Sequence, residues 1–557
     1  MLVNWSLALT ALPYSNFRRD RRSEESKLGS NRDHITWHWP TIIHSLTTPG
    51  ISTLRKLRTR SSLPSGSGDF LAVMIHLGNA PEDIIVHVAL FLGFDDLWRL
   101  RQACTRIRVI LSSIPVWRTA SSRLMLPMWS PSPAIGPGSS LNISGLPAFI
   151  QDVWRAAQID RRWATAKPYS YVHRPVSQEW TDIGLVGGGQ WILCTNDNGD
   201  VAATTLTQAI NHTIGKDMVY HPLFTSNRGW YGLVGWFRAL AVLTVQLESN
   251  LRSLNICYCA LPSLDGSQEP NQSLQYRLDL PGRIPISTIE VCTSSRFLAT
   301  LCKDPNHRPP WYVNVWSWGP GEDHVRQPPQ YTMRTIHFEA NDCAIRIVET
   351  KEGPHVFVVR ANKGATYFEF YDLRHKSNFG QIEPEAQIPV ARESLPWSCH
   401  QITLPRPRDI PATGNTGYDN PISVVLCAAR SPRHSELLAY RVRLHRSREL
   451  VSLSFLGGYT LPEYNDVTRC VLGPQGVRGV ALVSDPRKYS RTKLMILALD
   501  QEEFRLIKME HSKHNIFTPV DVTIDEVHGT IAILGDVNDL HILLFDSHLI
   551  PAEQTLP

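Results

Sequence analysis

The chain of 557 residues is 42% hydrophobic and 19% charged, apolar enough to fold over most of its length into about three or four domains of ordinary size. Its formal net charge is +5, and residues 1–75 carry all of that excess with ten Lys or Arg against five Asp or Glu. The remainder is balanced, 46 against 46, so no folded part makes a case for nucleic-acid binding. No run of about 18 apolar residues occurs, and no membrane span is expected. The ten cysteines include no CxxC pair, only Cys257 and Cys259 as CxC, which a strand would place on one face. They read as buried thiols of a reducing compartment, cytoplasmic or nuclear.

Residues 1–75 mix Ser, Arg and Gly with little periodicity and are expected to be a disordered basic tail. Residues 2–12 lack a basic start and a small-residue cleavage site, which speaks against a secretory signal. Two basic clusters, Arg18-Arg19-Asp20-Arg21-Arg22 and Arg55-Lys56-Leu57-Arg58-Thr59-Arg60, fit a solvated tail. Nuclear import and an Arg- and Ser-rich mitochondrial presequence are the alternatives.

Residues 80–120 read APEDIIVHVALFLGFDDLWRLRQACTRIRVILSSIPVWRTA. Ile84, Ile85, Val88 and Leu92 recur at helical spacing and form one apolar stripe. Pro81 is tolerated in a first helical turn, and Glu82 and Asp83 suit the positive end of the helix dipole. Gly93 is placed to end this helix. Asp95 or Asp96 is placed to cap the next, whose apolar face is Leu97, Leu100, Ala103, Cys104 and Ile107. Pro115 breaks the pattern before Trp117. A unit of about 40 residues cannot bury all of these groups alone, so the surplus stripe argues for a partner surface.

This register resembles, without a gap, the F-box, which docks a substrate receptor onto the adaptor of an SCF-type ubiquitin ligase. Pro81 and Asp83 stand where the family has its opening Pro and acidic residue. Asp96-Leu97 match its Asp-Leu pair, Cys104 its cysteine and Trp117 its terminal tryptophan. Ala80 replaces the leading Leu and Ile107 the common Trp. Both stay apolar, but the area lost at Ala80 is expected to weaken docking, at roughly 25 cal/mol per Å². The resemblance implies an adaptor-binding surface of Pro81, Ile84, Ile85, Val88, Leu92, Leu97 and Leu100, with cullin joining through the adaptor. The plainer alternative is a helical hairpin packed on the rest of the chain.

A Pro/Gly/Ser linker follows at 127–140, and residues 146–166 read as one helix with Leu146, Phe149, Val153, Trp154 and Ala157 on one side. Such a helix serves either as a spacer or as packing for the next domain. From about residue 170 the apolar period changes from 3.6 to 2. In 183–206, Gly187-Gly188-Gly189 ends a first strand, 191–195 and 201–206 are strands, and Asn198-Gly199 is a hairpin turn. The scheme recurs at 238–246 with 253–259, 297–302 with 312–318, and 355–359 with 365–373. It continues at 423–429 with 437–444, 479–484 with 494–498, and 530–534 with 540–545. Seven copies suggest a seven-bladed β-propeller, and the strands ending in Val315-Trp316 and Tyr371-Asp372-Leu373 are similar to worn WD40 blade endings. A pair of β-sandwiches is the alternative. Residues 169–173 or 178–182 are the candidates to complete the last blade, of which 530–534 and 540–545 are taken as inner strands.

The expected organisation is therefore a tail over 1–75, an F-box over 76–122, a linker and helix over 123–169, and an all-β propeller over 170–557. No catalytic constellation emerges. Gly187-Gly188-Gly189 is followed by no GxGxxG spacing, and neither GxSxG nor HExxH occurs. Residues 196–200 superficially resemble a calcium loop but lack its terminal Glu. His34 and His38 make at most a weak metal pair, so no cofactor or metal is expected. Trp311, Tyr312, Trp316 and Trp318 either line a peptide-binding face or pack between blades. The reading is a substrate-recognition subunit of an SCF-type ligase, not an enzyme, with a client protein on the propeller. Its rivals are a propeller scaffold with a vestigial or non-ligase F-box, and a propeller enzyme with a funnel site.

Overall fold

The first described helix, α1 (Glu82–Ala89), has Pro81 at its N-cap and two acidic residues in its first turn. It ends at Leu90, four residues ahead of α2 (Phe94–Ala103), and Gly93 caps the start of α2 rather than stopping α1. Asp95 and Asp96 lie inside the first turn of α2, where their charge favours the dipole without capping. The apolar face expected to run on to Ile107 is broken at Cys104, whose extended backbone starts α3 (Thr105–Leu111) and whose Sγ accepts from the Ile107 N–H. Pro115 opens α4 (Ile114–Ser121) rather than ending a helix, because its missing N–H is harmless there. Trp117 is fully buried, and its indole donates to the Leu111 carbonyl at 2.6 Å.

The computed structural model describes residues 80–124 and 146–547, apart from several connecting loops. The basic tail with its two clusters and His34 and His38, the 127–140 linker, Gly187-Gly188-Gly189, the Asn198-Gly199 turn and Trp318 all lie outside the described residues.

Helix α5 (Leu146–Ala164) serves two cores at once. Phe149, Ile150, Val153 and Ala157 complete the core of the helical module with Ile85, Leu97, Leu100, Ile107 and Trp117. Ile159 and Trp163, further along, belong to a core of β-strands that includes Val480, Ile496, Ile531 and Phe545. A helix that ends in two different cores cannot swing freely, since motion would open one of them to water.

The described strands form seven four-stranded antiparallel sheets, and in six of them the four strands are consecutive in sequence. Their first strands are Asp182–Val186, Tyr231–Val234, Ser287–Thr293, Asp342–Thr350, Gln401–Thr403, Asp466–Leu472 and Pro519–Asp525. Each contacts the first strand of the next sheet, and the last contacts the first, so the sheets form a closed ring. This is a seven-bladed β-propeller. Neighbouring inner strands are also tied by side chains: the Asp521 carboxylate accepts the Ile183 N–H at 2.9 Å, and the Asp342 carboxylate accepts that of Ile402 at 3.0 Å.

The final blade is completed by Ser170–Pro175, which pairs antiparallel with Asp539–Leu544, as one of the two expected candidates. Thr530–Gly535 and Asp539–Leu544 are its middle strands; the innermost is Pro519–Asp525, which the expectation left out. The first blade carries one further element, α6 (Leu206–Asn211), where the expected strand ends at Thr205. Its Gln208 N–H is capped by Thr205 Oγ1 at 3.0 Å.

Candidate functional site

The residues expected to form a partner surface separate by depth. Ile85, Leu97 and Leu100 are buried in the module's own core, at 0%, 1% and 4% exposure. Val88 and Leu92 are half-buried, Pro81 is exposed, and Ile84 is 49% exposed. Phe91, two residues beyond the end of α1, is 62% exposed and was not among the expected residues. The stripe is therefore graded: one edge closes the core, and the other shows Ile84, Val88 and Phe91 to solvent. The spacing of Ile84, Val88 and Phe91, four and then three residues, carries that signal in the sequence. His87 steadies Phe91 by an edge-on ring contact at 5.2 Å.

Behind this face, α5 is clasped to the ring by polar as well as apolar groups. Arg478, 1% exposed, donates to the Glu526 carbonyl at 2.5 Å, pairs with Asp160 of α5, and lies over the Trp163 ring at 5.6 Å. The Glu526 carboxylate accepts the Val477 and Arg478 N–H groups at 2.7 and 2.8 Å. The Trp163 indole donates to the Leu497 carbonyl at 2.8 Å. Arg155 pairs with Asp546, and Arg162 donates to the Phe545 carbonyl at 2.8 Å. On the module side Arg161 pairs with Asp95 of α2, and Trp154 stacks on Trp98 at 4.6 Å. Gly529 sits under Ile159 with φ +62, and a Cβ there would approach the Ile159 side chain to 2.6 Å. That contact and that backbone shape both require glycine.

A titratable pair lies close to this junction. His528 Nδ1 is 2.7 Å from the Asp525 carboxylate. Burial works against the imidazolium, but the Asp525 charge and hydrogen bond outweigh it, so His528 ionises above its usual range. For Asp525 burial likewise opposes the charge, and His528 together with the Val527 and His528 N–H groups holds the carboxyl below its usual range.

Trp311, Tyr312 and Trp316 are buried at 3%, 5% and 0%, so they line no open face, and Trp311 packs in a core with residues of the next blade such as Ile345 and Val356. Among the described residues, His173, Asp539 and His541 bring three metal-competent donor atoms within 4.8 Å of one another. No described helix is long and apolar enough to cross a membrane.

What the fold and site define is a seven-bladed β-propeller with a helical module locked to it through a shared helix. No family model and no curated protein matches the sequence. Among solved structures, the β-propeller domain of Cps50 (Swd1) from Myceliophteria thermophila matches with a TM-score of 0.40 at 9% identity, covering 67% of this chain and 99% of that one. A chain of the mitotic checkpoint complex matches with a TM-score of 0.38 at 6% identity, covering 68% of this chain and 95% of that one. The class rests on the sheet order and the closed ring, not on these scores.

Proposed function

We propose that the chain is a substrate-recognition subunit of an SCF-type ubiquitin ligase, whose helical module docks the adaptor and whose propeller holds a client protein. The observation that carries the reading is the coincidence of the ungapped F-box-like register with an exposed apolar edge on α1. Ile84, Val88 and Phe91 lie at that edge, while Ile85, Leu97 and Leu100 support it from inside. Under this reading Pro81, Ile84, Val88 and Leu92, of the seven residues expected to touch an adaptor, would meet it directly. The buried three act by holding the helices in place.

The clasp on α5 supports the same reading. A receptor accelerates transfer by proximity, holding client lysines at a set distance from machinery carried by other subunits. A spacer fixed in two cores does that better than a flexible linker, whose effective concentration falls with its length. Under this reading the chain supplies no catalytic residue. Affinity capture of the full chain, with the adaptor and cullin read by mass spectrometry, tests it. Both should appear with the native chain and both should be lost with Ile84→Asp/Phe91→Asp. Adaptor without cullin points to a propeller scaffold outside a ligase, and neither partner overturns the proposal.

A further inference from the structure

The geometry points to a divalent transition-metal site, of the kind that takes zinc, formed by His173, Asp539 and His541 across the seam where the ring closes. His173 lies on the closing strand directly opposite His541 on the last strand. Asp539 is two residues from His541, so all three side chains stand on one face of the sheet. Their donor atoms fall within 4.8 Å of one another, and His173 Nε2 is 3.1 Å from the Asp539 carboxylate. The two imidazoles stack at 4.8 Å with 16° between their planes. A turn about the broad terminal torsion of His173 directs its lone pair toward the shared point.

The donor set suits the ion. Two imidazoles and one carboxylate, with no thiolate, match zinc sites that keep a fourth position for water. His541 is buried, whereas the His173 and Asp539 side chains are 47% and 26% exposed, which leaves a path for the ion and for that water. Tyr171 adds an outer contact, with its hydroxyl 2.5 Å from His541 Nδ1. When Nδ1–H donates to the phenol oxygen, Nε2 keeps its lone pair for the metal. The ligands come from opposite ends of the propeller, so no local spacing in the sequence announces them. A bound ion would join the strand that precedes the first blade to the strand that ends the last, and would favour the closed ring over any opened form.

The test uses the full chain stripped of metal with EDTA and titrated with zinc, read by thermal melting, and with cobalt, read by visible absorption. Zinc should raise the midpoint saturably, and cobalt should give the bands of a low-coordinate site. His173→Ala and Asp539→Asn should lose both responses while keeping the metal-free midpoint, since both side chains reach solvent. Tyr171→Phe should weaken binding by roughly tenfold or more. Comparison with His173→Ala cancels any ion held by histidines elsewhere in the chain. No rise in the native protein, or an equal rise in His173→Ala, overturns the site.

Discussion

Replacing Trp163 by alanine should detach the shared helix from the ring at a cost that can be worked from its surroundings. The indole is fully buried, packs on Phe545 with 4.6 Å between ring centres, and donates to the Leu497 carbonyl. Truncating a buried tryptophan to alanine costs about 3–5 kcal/mol from lost burial and the cavity left behind. The Leu497 carbonyl loses the indole donor but keeps its place in the ladder opposite Gly479, so that loss adds little. Arg478 also loses the ring beneath its guanidinium, so the total should reach about 4 kcal/mol or more. Trp163→Phe keeps most of the packing and should cost only about 1–2 kcal/mol. Trp154→Ala, at the partly exposed stack on Trp98, should fall near the lower of those values. Urea unfolding followed by far-ultraviolet circular dichroism gives the three differences, and limited proteolysis reports whether 146–164 becomes cleavable. A cost below about 1 kcal/mol for Trp163→Ala, with the helix still protected, would refute the claim that α5 is locked into the ring.

Two other outcomes follow from the same contacts. A chain ending at residue 515 loses Pro519–Asp525, Thr530–Gly535 and Asp539–Leu544, leaves Ser170–Pro175 unpaired and uncovers Val480, Leu482, Ile183 and Leu185. Size-exclusion chromatography should show aggregate, because open edges and bare apolar faces associate, and a soluble monomer that melts cooperatively would argue for independent β units. The His528–Asp525 pair should stabilise the fold between about pH 4 and pH 6.5. Below that window Asp525 takes up a proton, and above it the advantage of the raised His528 is lost as pH climbs through its folded value. His528→Gln should therefore cost more stability near pH 5.5 than near pH 8.5 in parallel melts, and an equal cost at both would show that the pair does not titrate as described.

How far the sequence disclosed this molecule depended on whether a feature was local. The seven hairpins expected from apolar runs all correspond to the second and third strands of a blade, such as Trp191–Thr195 with Val201–Thr205 and Phe297–Lys303 with Trp311–Ser317. Trp191–Thr195 shows why such strands are legible: it is covered on both faces and reads as a continuous apolar run, WILCT being buried at every position. Edge strands were harder to see. Ala391–Leu395 alternates buried and open positions over five residues, and Gln401–Thr403 has only three. The closing strand was visible because ring closure demands a partner for the last blade. In the helical module the periodicity locates the stripe but does not separate buried Ile85 from exposed Ile84, and Phe91 lies past the end of the helix that the stripe defines. The break at Cys104 leaves no mark in the sequence because the apolar spacing runs through it. The Arg478, Asp160 and Glu526 cluster joins three distant segments and leaves no spacing to read.

The most direct measurement of the central claim is adaptor and cullin capture with surface and buried variants compared side by side. Ile84→Asp/Phe91→Asp alters only exposed or half-exposed positions and should leave the melting midpoint unchanged while abolishing capture, since losing one well-placed apolar anchor costs on the order of 2 kcal/mol of binding. Ile85→Asp places a charge in the module's core and should lower the midpoint as well. Undiminished capture of adaptor and cullin by a folded Ile84→Asp/Phe91→Asp chain would contradict the assignment of that edge, and no capture by the native chain would contradict the ligase itself.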